Sequence, residues 1–156
     1  MPIHRDIPAI LYGLRESKRT IGFAESCTGG RLSADMTTVP GSSDIVKGSL
    51  VCYMIEAKRL ILGLANVNEN NVVSEQTALE MAWAAQGMFK ADIGVGTTGY
   101  LDGEEPHAYY AIVDHNDQRT TQRVDFPKTT TRDVNREIFV SAVMSALTVY
   151  AKEVGK

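Results

Sequence analysis

Residues 20–30 constrain this chain more than any other stretch. Thr20-Ile21-Gly22-Phe23-Ala24 reads as a short buried strand and runs directly into Glu25-Ser26-Cys27-Thr28-Gly29-Gly30. Leu32, Ala34 and Met36 then suit a helix. Helix N-termini carry unpaired backbone N–H groups and a partial positive charge. A serine at such a junction, followed by glycines, can project its hydroxyl into a cleft while nearby N–H groups hold a phosphate or a developing oxyanion. The same residues also fit a plain helix N-cap, with glycines that allow close packing.

The rest of the chain alternates helices and strands. Ile7, Ile10, Leu11 and Leu14 recur at three- and four-residue steps and predict an amphipathic helix over residues 6–17, with Asp6 as cap and Pro8 in the first turn. After the turn Pro40-Gly41-Ser42-Ser43, residues 48–53 have strand character and residues 56–62 return to helix. Residues 66–71 form a polar loop. Ser74 opens a helix whose apolar stripe is Ala78, Met81, Ala82, Ala85 and Met88. Residues 93–98 read as a central strand, and residues 108–113 and 121–126 as an antiparallel hairpin. A last helix covers residues 131–151, with Ile138, Val140, Val143, Met144, Leu147 and Tyr150 as candidates for burial. This order predicts one α/β domain over residues 1–156, a three-layer α/β/α sandwich with a mixed, mainly parallel sheet.

Composition narrows the function classes. With 156 residues and 44% hydrophobic side chains, the chain can build a core of its own. A net charge of −3 argues against a general nucleic-acid binder. Arg15, Lys18 and Arg19 cluster, but Glu16 interrupts them, as on a solvated helix end. No segment approaches the ~20 apolar residues of a membrane span, and the polar start lacks the apolar run of a secretory signal, so the expected location is the cytoplasm. Cys27 and Cys52 are too few for a disulfide framework, and free thiols are expected. His4, His107 and His115 are scattered, so neither a side-chain metal site nor a cofactor is expected.

A nucleophilic serine needs a base, and no histidine has a claim. Lys58, at the end of Tyr53-Met54-Ile55-Glu56-Ala57-Lys58, qualifies if burial holds it neutral. If the first two strands are neighbours, Tyr53 and Lys58 approach the Ser26 turn from one side. A solvated lysine in a first helical turn and a core tyrosine are the plain alternatives. The pattern Gly94, Gly96, Gly99 matches GxGxxG, but its first glycines fall inside a strand and no helix follows, so chance explains it.

Ala24-Glu25-Ser26-Cys27-Thr28-Gly29-Gly30 resembles the signature of the CinA C-terminal domain family, the nicotinamide-nucleotide amidase type. Pro40-Gly41-Ser42-Ser43, the strand with Gly48, Val51 and Tyr53, Glu56-Ala57-Lys58 with Leu62-Gly63, Val73-Ser74-Glu75, the strand ending in Thr98-Gly99 and an arginine-bearing C-terminal helix follow in the family's order. The resemblance covers nearly the whole chain. It implies hydrolysis of the carboxamide of nicotinamide mononucleotide to nicotinic acid mononucleotide and ammonia. Ser26 would be the nucleophile, Lys58 the general base and Tyr53 an assistant. Thr28, Gly29, Gly30, Thr98 and Gly99 would contact substrate, and Arg132 or Arg136 its phosphate, for which a guanidinium fork is suited. The expected partners are a small nucleotide substrate and further copies of the chain in a homo-oligomer, with neither nucleic acid nor membrane.

Three stretches depart from the family pattern. Met54-Ile55 replaces a Ser-Asn pair. Tyr100-Leu101-Asp102-Gly103-Glu104-Glu105 replaces a small-residue, glycine-rich segment, and its carboxylates would repel an anionic substrate unless they point away. Lys128-Thr129-Thr130-Thr131 stands where a glycine precedes the arginine region. Retention of Ser26, Tyr53 and Lys58 favours the enzyme. The changes at Ile55 and in the loop favour a catalytically silent relative that binds a nucleotide or a partner protein.

Overall fold

A computed structural model describes residues 6–156; His4 and the polar start of the chain lie outside the described residues. Helix α1 (Ile7–Glu16) buries Ile7, Ile10, Leu11 and Leu14, the stripe read from the sequence. Asp6 takes the cap position but makes no side-chain cap hydrogen bond. Its backbone is already helical, at φ −84° and ψ −9°, whereas a capping side chain reaches the first amides from an extended backbone. Strand β1 (Ile21–Glu25) is buried at every position. Then come α2 (Arg31–Thr38), a 3₁₀ turn (Ser42–Asp44), β2 (Val46–Val51) and α3 (Ile55–Leu60). They are followed by α4 (Glu75–Phe89), β3 (Ile93–Tyr100), β4 (His107–Asp114), β5 (Arg119–Asp125) and α5 (Arg132–Val154).

The sheet order is β2-β1-β3-β4-β5. β1 runs parallel to both β2 and β3, and β4 is antiparallel to β3 and β5. Only β4 therefore points the other way, and the sheet is mixed and mainly parallel, as expected. On one face α1, α2 and α5 bring Leu14, Leu32, Met36, Phe139, Val143 and Leu147 against Ile21, Phe23 and Val95. On the other face α4 presses Ala78, Ala82 and Ala85 onto the strands. Each fully buried large apolar side chain stabilises by roughly 1.5–3 kcal/mol, so both helical layers are held mainly by this burial.

Close approach of α4 explains the glycines in the strands. A Cβ on Gly94 would lie 1.9 Å from the Ala82 carbonyl oxygen, and one on Gly96 2.3 Å from that of Ala78. The apparent GxGxxG match is thus a helix–sheet contact. Phe89 lies over Gly22 and Gly48. By taking the inward place at that end of α4 it turns Met88 to solvent, where the sequence stripe had placed Met88 inside. Ile138 is also exposed, because Asn135, Phe139 and Val143 fill the inward row of α5.

The parallel strands end on one edge, with the chain leaving β1 toward the α1/α5 face and leaving β2, through α3, toward the α4 face. Such a switch point opens a crevice at the carboxyl ends of the strands. Gly94→Ala should force α4 off the sheet and lower the unfolding free energy by about 3 kcal/mol, the upper range for overpacking. Denaturant midpoints with an unchanged m-value would measure it.

Candidate active site

Ser26 follows the last residue of β1, and the turn it opens is held from behind. Glu25 is 0% exposed. Its Oε1 accepts from Thr28 Oγ1 (2.7 Å) and the Leu32 amide (3.0 Å). Its Oε2 accepts from the Ser33 amide (3.1 Å), Ser33 Oγ (2.8 Å) and Ser49 Oγ (3.0 Å). Leu32 and Ser33 supply first-turn amides of α2, so Glu25 caps that helix from β1. The residue at the cap position itself is Gly30, at φ +95°. Ser26 is therefore not the helix cap, and these two helical amides serve Glu25 rather than an external anion. The Gly29 amide closes the turn onto the Ser26 carbonyl at 3.0 Å, with Gly29 at φ +61°. Both glycines hold left-handed conformations that a side chain would strain.

Thr28 is fully buried, and its hydroxyl also meets Thr97 Oγ1 at 3.0 Å. Thr97 Oγ1 in turn accepts from the Ser26 amide at 3.3 Å. Thr28 therefore ties the turn to β3 instead of facing a ligand.

Lys58 comes from the second strand's side. β2 lies beside β1, and the Cys52 amide extends their pairing by donating to the Glu25 carbonyl at 2.8 Å. The chain then enters α3, and helical side chains tilt toward the helix N-terminus, which aims Lys58 back at the end of β2. Lys58 is 1% exposed. Its Nζ lies 2.9 Å from Ser26 Oγ, from the Cys52 carbonyl oxygen and from the Tyr53 carbonyl oxygen. Burial lowers its pKa below the ordinary lysine value, opposed by the Cys27 and Cys52 thiols. Once Lys58 loses a proton, two N–H bonds can stay on the two carbonyls, and the lone pair faces Ser26. Both cysteines are free and buried. Burial pushes the Cys27 thiol up to about 12, with Lys58 pulling the other way, which disfavours its thiolate.

Tyr53 takes part through both its backbone and its side chain. Its carbonyl holds Lys58, while its hydroxyl accepts from Arg132 Nη2 at 2.9 Å at the rim. Arg132 Nη1 pairs with Asp102 at 2.7 Å. Arg136 Nε donates to the Cys27 carbonyl at 3.2 Å, and its guanidinium lies over Gly29. In the altered loop, Asp102 is thus spent on Arg132, and Glu105 pairs with Arg123 at 3.1 Å.

Ser26, Lys58, Tyr53, Ile55, Thr98, Gly99 and Tyr100 line a cleft of about 460 Å³. Thr98 donates to the Val72 carbonyl at 2.7 Å. A Cβ on Gly99 would come within 2.3 Å of Ala108 Cβ, so that glycine is needed for strand pairing as well. Thr28, Gly29, Gly30, Arg132 and Arg136 stand behind or beside this cleft rather than in its wall. Glu25 and the Tyr53 carbonyl are the two contributors that sequence reasoning missed. Glu25 stood in the motif, but nothing in its spacing says which way its side chain turns.

The family model of the CinA C-terminal domain matches residues 7–151. The chain belongs to the CinA C-terminal domain family. A CinA-like protein of Flavobacterium psychrophilum is 48% identical over 88 residues, covering 55% of this chain and 21% of that protein. A CinA-like protein of Prochlorococcus marinus is 33% identical over 151 residues, covering 90% of this chain and 36% of that protein. The chain thus spans well under half the length of these CinA-like relatives. The crystal structure of a competence/damage inducible protein from Agrobacterium tumefaciens superposes with a TM-score of 0.87 at 26% identity, covering 96% of this chain and 95% of that one. Among the described residues no helix is long and apolar enough to cross a membrane. Among the same residues, no group of three or more His, Cys, Asp or Glu could hold a metal ion.

The lowered pKa of Lys58 has a consequence for stability. Between its folded value and the unfolded lysine value near ~10.4, the unfolded chain binds a proton that the folded chain does not. Stability from this group therefore rises with pH across that window. The native protein should gain unfolding free energy relative to Lys58→Met as pH climbs toward the ordinary lysine value, the cysteine contributions cancelling to first order in the difference. Paired denaturation curves across that range measure it, and a flat difference would mean a lysine charged as usual.

Proposed function

We propose that this CinA-family chain hydrolyses the carboxamide of nicotinamide mononucleotide. The observation that carries this reading is the buried Lys58 Nζ at 2.9 Å from Ser26 Oγ, with two backbone carbonyls fixing its other donors. Ser26 Oγ attacks the amide carbon as Lys58 takes its proton. Lys58 then returns that proton to the departing amine, ammonia leaves, and Ser26 holds the acyl group as an ester. Water, deprotonated by Lys58, attacks the ester, which yields the acid and restores Ser26. Tyr53 assists through its carbonyl, which orients Lys58, and through its hydroxyl at the rim. Of the two arginines tied by resemblance to the phosphate, Arg132 would have to release Asp102, whereas Arg136 is held to Cys27 through Nε alone.

Pure protein incubated with nicotinamide mononucleotide should release ammonia, and Ser26→Ala should abolish the release. Since the base must be neutral, the rate should rise with pH through a value below that of ordinary lysine and then level off. Release unaffected by Ser26→Ala would remove the assignment.

Ile55 is the first residue of α3 and lines the cleft beside Lys58, where the family pattern has an asparagine. Ile55→Asn should raise amide hydrolysis a few-fold to about tenfold, the value of one added hydrogen bond of about 0.5–1.5 kcal/mol. Ammonia release by the two folded proteins, assayed side by side, decides it.

A further inference from the structure

The wall around Ser26 and Lys58 is mostly apolar. Tyr53, Met54, Ile55, Val72, Val73 and Tyr100 line the cleft, and Met54, Tyr53 and Tyr100 are 69%, 56% and 46% exposed. Apolar side chains left open to water in a concave site gain by covering themselves with apolar ligand surface. The polar side chains in this wall are few and largely engaged. Thr98 gives its hydroxyl proton to the Val72 carbonyl, and the Tyr53 hydroxyl meets Arg132 at the rim. Lys58 is held by Ser26 and two backbone carbonyls. Glu56 and Glu69 stand exposed in the same wall and form no ion pair among the described residues. Their charges disfavour an anionic acyl group beside the serine.

Ile55 adds a chemical preference. A primary carboxamide carries two N–H donors, and covering them without an acceptor is unfavourable. Ile55 offers no acceptor, whereas an ester has no N–H to satisfy. We propose that Ser26 and Lys58 also hydrolyse neutral carboxylic esters, with an apolar acyl chain lying along Met54, Ile55, Val72 and Val73. The inference rests on the serine–lysine mechanism of the proposed amidase and adds a second substrate class, uncharged and without phosphate. Ser26 Oγ bonds to the ester carbon as Lys58 takes its proton. The bond from that carbon to the alcohol oxygen breaks, the proton passes from Lys58 to the departing oxygen, and the acyl group stays on Ser26. Water then attacks the acyl carbon and gives a proton to Lys58. The bond to Ser26 breaks, the acid leaves, and Ser26 recovers the proton from Lys58. An alcohol oxygen departs more readily than an amine nitrogen, so the ester asks less of Lys58 as an acid.

The test compares p-nitrophenyl acetate with p-nitrophenyl butyrate. Full burial of a methylene is worth roughly fourfold, and this half-open wall should yield about two- to threefold. Native protein should therefore show a kcat/KM for butyrate about four- to ninefold above that for acetate. Ser26→Ala should lower both at least about a hundredfold. Met54→Ser with Ile55→Asn leaves Ser26 and Lys58 in place and should bring the two esters within about twofold of each other. An alkyl fluorophosphonate, a neutral apolar electrophile, should label Ser26 of the native protein with loss of fluoride, which needs no variant to fold. Hydrolysis that survives Ser26→Ala, equal rates on the two esters in native protein, a chain-length preference that survives the double substitution, or no labelling of Ser26 overturns the proposal. Ammonia release from nicotinamide mononucleotide without ester hydrolysis would overturn this inference alone. Serine-dependent ester hydrolysis with the expected chain-length preference, but without ammonia release, would support it and remove the amide substrate.

Discussion

The site depends first on a buried carboxylate. Glu25 ends β1 and receives five hydrogen bonds from Thr28, Leu32, Ser33 and Ser49, so a single side chain joins β1, the Ser26 turn, α2 and β2. An unpaired charge there would be prohibitive, and each charge-assisted bond is worth about 1.5–3 kcal/mol. Because the cost of burial is offset only when all the donors are present, the turn has one low-energy arrangement. Ser26, next in the chain, inherits that rigidity, and Thr97 adds a tie to β3. The precise placement of the Ser26 hydroxyl is thus a property of Glu25 more than of Ser26 itself.

Lys58 is the counterpart on the other side of the cleft, and its electrostatics run the opposite way. Two carbonyl acceptors favour the ammonium form, while removal from water disfavours it, and the second effect wins in direction. Full replacement of the lost solvation would have left a permanently charged lysine, unable to accept a proton. The arrangement stops short of that: two fixed acceptors, with the third direction filled by a hydroxyl that can either accept from the lysine or donate to it.

The sequence made the skeleton legible because each strong signal was local. The buried run before Glu25, the stripe of α1, the hairpin formed by β4 and β5, and the length of α5 all follow from residues close in the chain. The meeting of Ser26 and Lys58 was legible too, through the expectation that β1 and β2 are neighbours. What escaped were choices made between elements. Phe89 displaced Met88 from the core because two glycines on different strands left room for a ring. Thr28 turned inward because Thr97, far along the chain, offered a partner. Asp102 and Glu105 looked like a repulsive loop until arginines from α5 and β5 were seen to meet them. Periodicity carries no trace of such pairings.

The departure at Met54-Ile55 gains meaning from the same geometry. Met54 is the cap residue of α3, has no side-chain cap hydrogen bond and is 69% exposed. A helix of six residues lacks intrinsic stability in water, and a cap of the serine type would ordinarily add about 1 kcal/mol. Besides the packing of Ile55 and Ala57 on the core, side-chain anchoring holds α3: Lys58 to two carbonyls of the preceding segment, and Arg59 to the Val67 carbonyl of the following loop. Lys58 therefore also supports the helix that presents it. With Met54 at the cap position, weight falls on Lys58, so any change that loosens its carbonyl contacts disturbs the position of its amine and the fold of α3 together.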